Sequence, residues 1–197
     1  MVKVRDEPIL VEWDGKHPLR HSWSLWYFNR QLGSSWDNCL KNIGTFSTIE
    51  DFWCYFHHIL PPSQMKNGCD LCIFKEGIRP AWEDQANKRG GRWDIALERG
   101  SFSAATLDDY WLKLAMDLIG GRFDDLDCII NGAIVNRREK ANRISLWTST
   151  SHDYESLSTL GKTLKDFIGL PIGHKIGFRT HEDCSLNASA QRVTIVL

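Results

Sequence analysis

The stretch Gly77–Trp93, GIRPAWEDQANKRGGRW, carries a large aromatic, Trp82, where a core aromatic does not belong. Pro80 stands two residues before it, Glu83 and Asp84 follow at once, and the run closes on Lys88, Arg89, a Gly-Gly pair and Arg92. Proline and glycine at those offsets punctuate a loop. Strand-like runs flank it, CDLCIFKEG before and DIALE after, so the stretch connects two strands and Trp82 projects from a polar loop. The basic pair before Gly-Gly reads by itself as a hairpin turn with exposed charges.

Toward the N-terminus, HSWSLWYFN places Trp23, Leu25 and Tyr27 on one face of a strand and Trp26 and Phe28 on the other. QLGSSWDN breaks that strand and leaves Trp36 in a second loop. STIEDFWCYFHHIL predicts a helix opened by a capping box, Ser47 with Glu50, and Ile49, Phe52, Trp53 and Phe56 follow helical spacing. PPSQMKNG ends it. Beyond Trp93, which reads as core, SAATLDDYWLKLAMDLIGG predicts a helix stopped by Gly120 and Gly121. CIINGAIVNRR and NRISLWTST predict two strands joined by a charged hairpin loop at EKAN. A helix, YESLSTLGKTLKDFIGL, and two strand candidates, HKIGFRTH and QRVTIVL, complete the chain. Strands outnumber helices and many adjoin as hairpins, which predicts an α+β fold: a mainly antiparallel sheet with helices on one face.

With 197 residues and 42% hydrophobic content the chain can bury one sizeable core. Residues 1–16, of mixed charge and with Pro8, read as a flexible tail, and 17–197 as a single domain. No window approaches the roughly 20 apolar residues of a membrane span, and the N-terminus lacks the apolar run of a signal peptide. The cytoplasm is the expected location, with the nucleus left open, and no membrane partner is expected. Six cysteines at irregular spacing fit a reducing compartment. Cys69 and Cys72 form CDLC, but no second ligand pair follows at metal spacing, and the local periodicity is that of a strand, so neither metal nor cofactor is expected. A net charge of −1 excludes a bulk polyanion binder and confines any nucleic-acid contact to a local site. Nine tryptophans exceed what a core of this size needs.

Three of those tryptophans suggest a ligand. Trp36 and Trp82 sit in loops, and Trp147 closes a strand beside Arg138 and Arg143. Aromatic faces stack on bases, cations hold phosphates, and a carboxylate such as Glu83 accepts two hydrogen bonds from guanine, the base with adjacent N1–H and amino donors. A positively charged guanine would add cation–π attraction of about 0.5–2 kcal/mol per contact. Such a base exists in 7-methylguanosine, the cap of eukaryotic messenger RNA. Residue by residue the plainer reading stays open: loop tryptophans can fold over the core edge and Glu83 can be a solvated acid. Nothing forms a nucleophile, base and orienter set. His57 and His58 lie on a helix without a partner, and the acidic FDDLD, Phe123–Asp127, reads as a loop after a helix stop, so an enzyme acting on nucleotides is the less favoured class.

Taken together, HPLRHSWSLWYF, GTFSTIEDFW, GCDLCIFKEGIRPAWED, NKRGGRW, NGAIVNRR, RISLWT and GLPIGHKIGFRTH resemble the eukaryotic translation initiation factor 4E family of cap-binding proteins, over nearly everything from His17 onward. The resemblance implies a curved antiparallel sheet of about eight strands, with three long helices on its convex back and a cap slot on the concave side. It implies that Trp36 and Trp82 sandwich the methylated base. Glu83 would then accept from its N1–H and amino group, the Trp82 backbone N–H donate to O6, and Trp147 contact the methyl group. Arg92, Arg138 and Arg143 would face the phosphates, Arg143 in place of a lysine common in the family. Arg137 and Arg138 alternate across a strand, so only one can face the slot, and the resemblance selects Arg138.

The resemblance also implies a second surface on the helical back, where a helical peptide of the scaffold factor 4G or of regulatory 4E-binding proteins docks. The matching positions are His17, Pro18, Ile49, Trp53 and Leu112, and the alternative for Trp53 is plain core. Lys113 departs from the pattern, because the family commonly has a glutamate there that pairs with a partner arginine. The expectation is a factor that binds the cap of mRNA and recruits the scaffold to promote translation. A cap-binding repressor that does not recruit the scaffold is the alternative that Lys113 leaves open.

Overall fold

Alternation divides each strand between an apolar side and a polar one, and pairing sets these sides in register. A computed structural model of the chain describes residues 15–33, 35–98, 100–182 and 193–197. Within them, β1 (Pro18–Asn29), β2 (Leu40–Thr48), β3 (Cys69–Lys75), β4 (Gly91–Glu98), β5 (Ile130–Asn136), β6 (Ala141–Thr148), β7 (Gly177–Thr180) and β8 (Ile195–Val196) form one sheet. Its order is β2-β1-β3-β5-β6-β4-β7-β8, and every neighbouring pair is antiparallel. Register shifts in β1 and at Ile130/Gly132 of β5 are bulges, which bend a sheet.

One face of this sheet carries the core. Trp23, Leu25, Ile73, Trp93, Ile95, Val135 and Leu146 point to it and are nearly inaccessible. They join Phe52 of α2 (Ile49–His58), Trp111 and Leu114 of α3 (Ala104–Ile119), and Leu157, Leu160 and Leu164 of α4 (Tyr154–Ile168) in a single apolar cluster. All three long helices therefore cover the same face, as the sequence pattern predicts. α4 lies so close to β4 that a Cβ at Gly161 would fall 2.5 Å from Trp93 Cζ2, so only glycine fits. Trp93 is core as expected, and its indole N–H donates to Leu157 O at 3.1 Å.

Helix ends follow the sequence with one shift. Thr48, not Ser47, caps α2: its hydroxyl accepts from Asp51 N–H at 3.2 Å and donates to Asp51 Oδ2 at 2.8 Å. Thr48 still pairs with Pro18, so the β2 ladder runs through Ser47 and the helix starts one residue later than the capping box suggests. Glu50 turns instead to His17, accepting its backbone N–H at 2.8 Å and meeting its ring Nδ1 at 2.7 Å. Ser103 caps α3 and Asp153 caps α4, which ends at Gly169 in the left-handed region (φ 74°).

Other expectations need adjustment. Most of the expected tail lies outside the described residues, and at its last position Lys16 Nζ reaches Asp51 Oδ1 at 2.8 Å. Cys69 and Cys72 are both buried, and being three apart on a strand they point to opposite faces and cannot share a metal. Residues 123–127 are not a plain loop: a 3-10 segment, Asp124–Ile129, buries Asp127, whose carboxylate meets His21 Nε2 at 2.5 Å and Lys75 Nζ at 3.5 Å. Of QRVTIVL only Ile195–Val196 pairs as strand, and its first two residues lie outside the described ones.

Candidate functional site

The face of the sheet away from the helices combines a small apolar cluster, Cys72, Phe74, Ile134 and Trp147 with Trp26 against it, with charged and polar side chains. Trp26 and Phe28 of β1, Cys72 of β3, Arg92 and Asp94 of β4, Arg143, Ser145 and Trp147 of β6 and Arg179 of β7 alternate with the buried set above. Two short segments rise over this face. A one-turn helix, α1 (Trp36–Cys39), is capped by Ser35, whose side chain accepts from Asn38 N–H, so Trp36 stands in a helical turn instead of the expected loop. The connection 76–90 brings Trp82.

That connection is braced from within. Asn87, fully buried, donates to Arg79 O at 2.8 Å and Ala81 O at 2.9 Å, and Asn131 at the β5 bulge donates to Ala86 O at 2.8 Å and Asn87 Oδ1 at 2.9 Å. Asp84 accepts from Arg79 N–H at 3.0 Å and Ala86 N–H at 2.9 Å. Of the two acids after Trp82, Asp84 is therefore structural, while Glu83 is exposed. The Gly-Gly pair does not make a hairpin, because β3 and β4 are not neighbours. Its role is close approach: a Cβ at Gly90 would lie 1.7 Å from Thr148 O and one at Gly91 2.4 Å from Phe178 Cζ.

Trp36, Trp82, Trp147, Arg92, Arg138 and Arg143 line one cavity of about 160 Å³. Six of the seven residues expected in the slot thus meet. Trp36 and Trp82 are 42% and 43% exposed, whereas Trp147 is only 5% exposed, wedged edge-on to Phe74 and against His181 with ring centroids 4.1 Å apart. Trp36 leans on Phe28, centroids 5.9 Å apart, and Arg79 stands 5.8 Å from its ring while pairing with Asp37. Glu83 lines an adjoining cavity of about 270 Å³ that shares Trp36 and Ala81 with the first.

The arginines are not equivalent. Arg92 Nε donates to Asp94 at 3.1 Å and Arg143 Nε to Asn136 Oδ1 at 2.9 Å, and both side chains line the cavity. Arg138 instead spends both Nη groups on Asp70, at 2.5 and 3.1 Å. Asp94 is the hub: it also accepts from Arg179 Nη1 at 2.6 Å and Ser145 Oγ at 2.6 Å. Burial by itself would raise its carboxyl, but Arg92, Arg143, Ser145 and Arg179 outweigh this and hold it below the ordinary aspartate range. Burial lowers the Arg143 guanidinium from its usual value, partly offset by Asp94. Burial, followed by the nearby Arg92 charge, pushes the His181 imidazole down to about 3, so it is neutral at pH 7.

On the helical back, Ile49 N–H donates to His17 O at 2.9 Å, which ties the expected anchor positions His17, Pro18 and Ile49 into one corner. Ile49 is 41% exposed. Trp53, one turn along, is half-buried: it packs on Phe52 and Phe56 and stacks on His57 at 5.2 Å. It is both core lining and surface, so neither sequence alternative is complete. Leu112 is half-buried on α3 next to Trp111, which packs with Phe52 and Phe56 of α2. Lys113 Nζ is held by Asp109 Oδ2 at 2.8 Å.

A profile described as Eukaryotic initiation factor 4E matches residues 18–195, nearly the whole described chain. The chain belongs to the initiation factor 4E family. It is 39% identical to human eukaryotic translation initiation factor 4E over 175 residues, 89% of this chain and 80% of that protein. The Aplysia californica factor is 41% identical over 175 residues, covering 89% and 81%. Two solved structures superimpose closely. C. elegans eIF4E-3 in complex with the 4E-binding protein Mextli and a cap analog has a TM-score of 0.85 at 36% identity, covering 92% of this chain and 99% of that one. Ascaris suum eIF4E-3 in complex with an m2,2,7G cap has a TM-score of 0.86 at 38% identity, covering 92% and 98%.

In this initiation factor 4E family member, several site residues carried no signal in the sequence. Asp70, Asp94, Asn136 and Arg179 read as the solvated side of strands, because a polar residue on an alternating strand looks the same whether it meets water or an arginine. Arg179 pairs across the ladder with Arg92, which only the β4–β7 pairing reveals. Asn87 and Asn131 sit in stretches whose local pattern gives no hint that they bond each other.

Proposed function

We propose that this chain binds the 7-methylguanosine cap of mRNA on its helix-free face and a helical segment of the scaffold factor 4G, or of 4E-binding regulators, on its helical back, as a recognition module without chemistry of its own. The observation that carries the cap reading is the meeting of three tryptophans and three arginines around one cavity. A base between Trp36 and Trp82 stacks on both, with a cationic ring adding electrostatic attraction to each face. Its N1 and amino edge turns toward the adjoining cavity and Glu83. The opposite, methylated edge turns toward Trp147, and the phosphates run along β4 and β6 to the Nη groups of Arg92 and Arg143, which can fork to phosphate oxygens. The complexes of the two nematode relatives with cap analogs support the reading.

Titration with a 7-methylguanosine triphosphate analog is expected to quench tryptophan fluorescence strongly, and GTP to bind at least about tenfold more weakly, the loss of the two cation–π contacts. Equal affinity for the two nucleotides would overturn the reading.

A further inference from the structure

Arg92 and Arg179 stand directly opposite each other on β4 and β7, on the helix-free face of the sheet. Like charges in that position repel, and the two side chains would turn apart if nothing lay between them. Asp94, two residues along β4 on the same face, meets both. Arg92 Nε donates to Oδ1 at 3.1 Å and Arg179 Nη1 to Oδ2 at 2.6 Å. Arg143 of β6 approaches Oδ1 at 3.8 Å, so cations from three strands converge on one carboxylate. That carboxylate is itself aimed: Ser145 lies opposite Asp94 across the β4–β6 ladder, and its Oγ donates to Oδ1 at 2.6 Å. The Asp94 side chain is only 5% exposed, so water screens these contacts little. The other carboxylate of the slot behaves differently. Asp70 occupies both Nη groups of Arg138, whereas Asp94 meets Arg92 through Nε. An end-on fork to a phosphate uses the two Nη groups, so the first contact competes with a phosphate and the second does not.

We propose that Asp94 is a positioning residue for phosphate recognition: it acts through Arg92 and Arg143, holding their guanidinium groups in place before a phosphate arrives, with Arg179 balancing its charge from the neighbouring strand. The proposal rests on the cap reading above, which gives these arginines their ligand. Two opposing effects come from the same carboxylate. Its charge weakens the attraction of the site for phosphate, and its contacts keep the cations from spreading toward solvent. The geometry favours the second effect. Three guanidinium groups less one carboxylate leave a charge of +2, so attraction survives with Asp94 in place. Without it each arginine, a side chain of large rotamer freedom, has to be ordered anew on binding and against the repulsion of its neighbours. A carboxylate that only held the sheet together would support base and phosphate binding alike, and this is the difference that a measurement can read.

The test compares two ligands on the full chain by fluorescence titration: 7-methylguanosine, which carries the base and no phosphate, and its 5′-triphosphate. Asp94→Asn keeps the shape of the side chain and an acceptor for Ser145, and removes the charge. Coulomb attraction alone predicts that this change tightens the triphosphate. Positioning predicts the opposite sign: the triphosphate is expected to weaken about tenfold, with a flatter salt dependence, while the nucleoside binds within about twofold of wild type. A triphosphate affinity that rises or stays within about twofold would overturn the proposal. Equal losses for the two ligands would overturn it as well, since a damaged sheet weakens both. Should denaturant melts show that Asp94→Asn does not fold, Ser145→Ala takes its place, because it leaves the charge and releases the carboxylate from its donor. A loss of about threefold confined to the triphosphate is then expected, and unchanged binding of both ligands would overturn the proposal. Failure of wild type to bind the triphosphate would overturn the cap reading and this proposal with it, an observation made before any variant is compared.

Discussion

At the scale of single residues, the site is set by which charges are already committed. Glu83 is exposed and uncommitted, so removing it deprives a stacked guanine of both acceptors: Glu83→Ala is expected to weaken cap-analog binding by about 2–4 kcal/mol, measured by fluorescence titration. Asp70 acts in the opposite sense. Its carboxylate occupies the Arg138 fork and adds a negative charge beside the phosphate path. Asp70→Asn is therefore expected to tighten the triphosphate analog a few-fold and leave the uncharged nucleoside unchanged. Equal gains for both would mean that Arg138 stays turned away. His181 gives a pH signature. Its folded value of about 3 lies below the ordinary 6.5 of the unfolded chain, so between these values the unfolded chain takes up a proton that the folded chain refuses. Stability is then full above pH 6.5 and falls on acidification by about 1.4 kcal/mol per pH unit, or about 2 kcal/mol from this group by pH 5. His181→Phe keeps an aromatic against Trp147 and is expected to flatten the decline, read from denaturant melts at pH 7 and 5; an unchanged pH slope would count against the buried neutral imidazole.

At the scale of elements, strand alternation and capping residues were legible, and partnership between distant segments was not. SLWYF gave both faces of its strand, and CDLCIF and ISLW were legible as strands, because period two is unmistakable there. Helix α2 was legible to within one residue, its start displaced only because β2 pairs through Thr48. What stayed hidden depends on sheet order: β4 lies between β6 and β7, so Arg92, Trp147 and Arg179 become neighbours although 87 residues separate the first from the last. The α2–α3 back follows the same division. Trp53 is legible as an aromatic on an apolar helix, but its half-buried state shows only in packing. Trp53→Ala is expected to weaken a scaffold-derived helical peptide by at least about 2 kcal/mol. Lys113 is tied to Asp109 in an exposed i,i+4 pair, so Lys113→Glu converts an attraction within α3 into a repulsion costing a few tenths of a kcal/mol. The same change is expected to strengthen a peptide carrying an arginine opposite it by up to about 1 kcal/mol, less at high salt; calorimetry showing no gain would mean that this side chain does not face the partner.

At the scale of the molecule, the two surfaces lie at opposite ends of one hairpin. His17 and Pro18 open β1 and Ile49 follows β2, while Trp36 sits in the turn between those strands. Twelve residues of β1 at about 3.3 Å each put about 40 Å of paired strand between the back corner and the slot. Coupling between the sites would need a second arrangement of that hairpin. Its register is fixed by core side chains, since Trp23 and Leu25 on β1 and Phe46 on β2 are buried, and a one-residue slip would expel all three. The element that carries Trp36, α1, is a single turn at the end of this hairpin away from the back corner. Binding free energies on the two faces are therefore expected to add. Calorimetric titration of the cap analog with and without a saturating helical peptide should give dissociation constants within about twofold, and Trp53→Ala should leave cap affinity unchanged within the same margin. A tenfold difference in either comparison would show that the hairpin has two states, and by reciprocity the peptide would then bind tenfold better or worse to the cap-loaded chain.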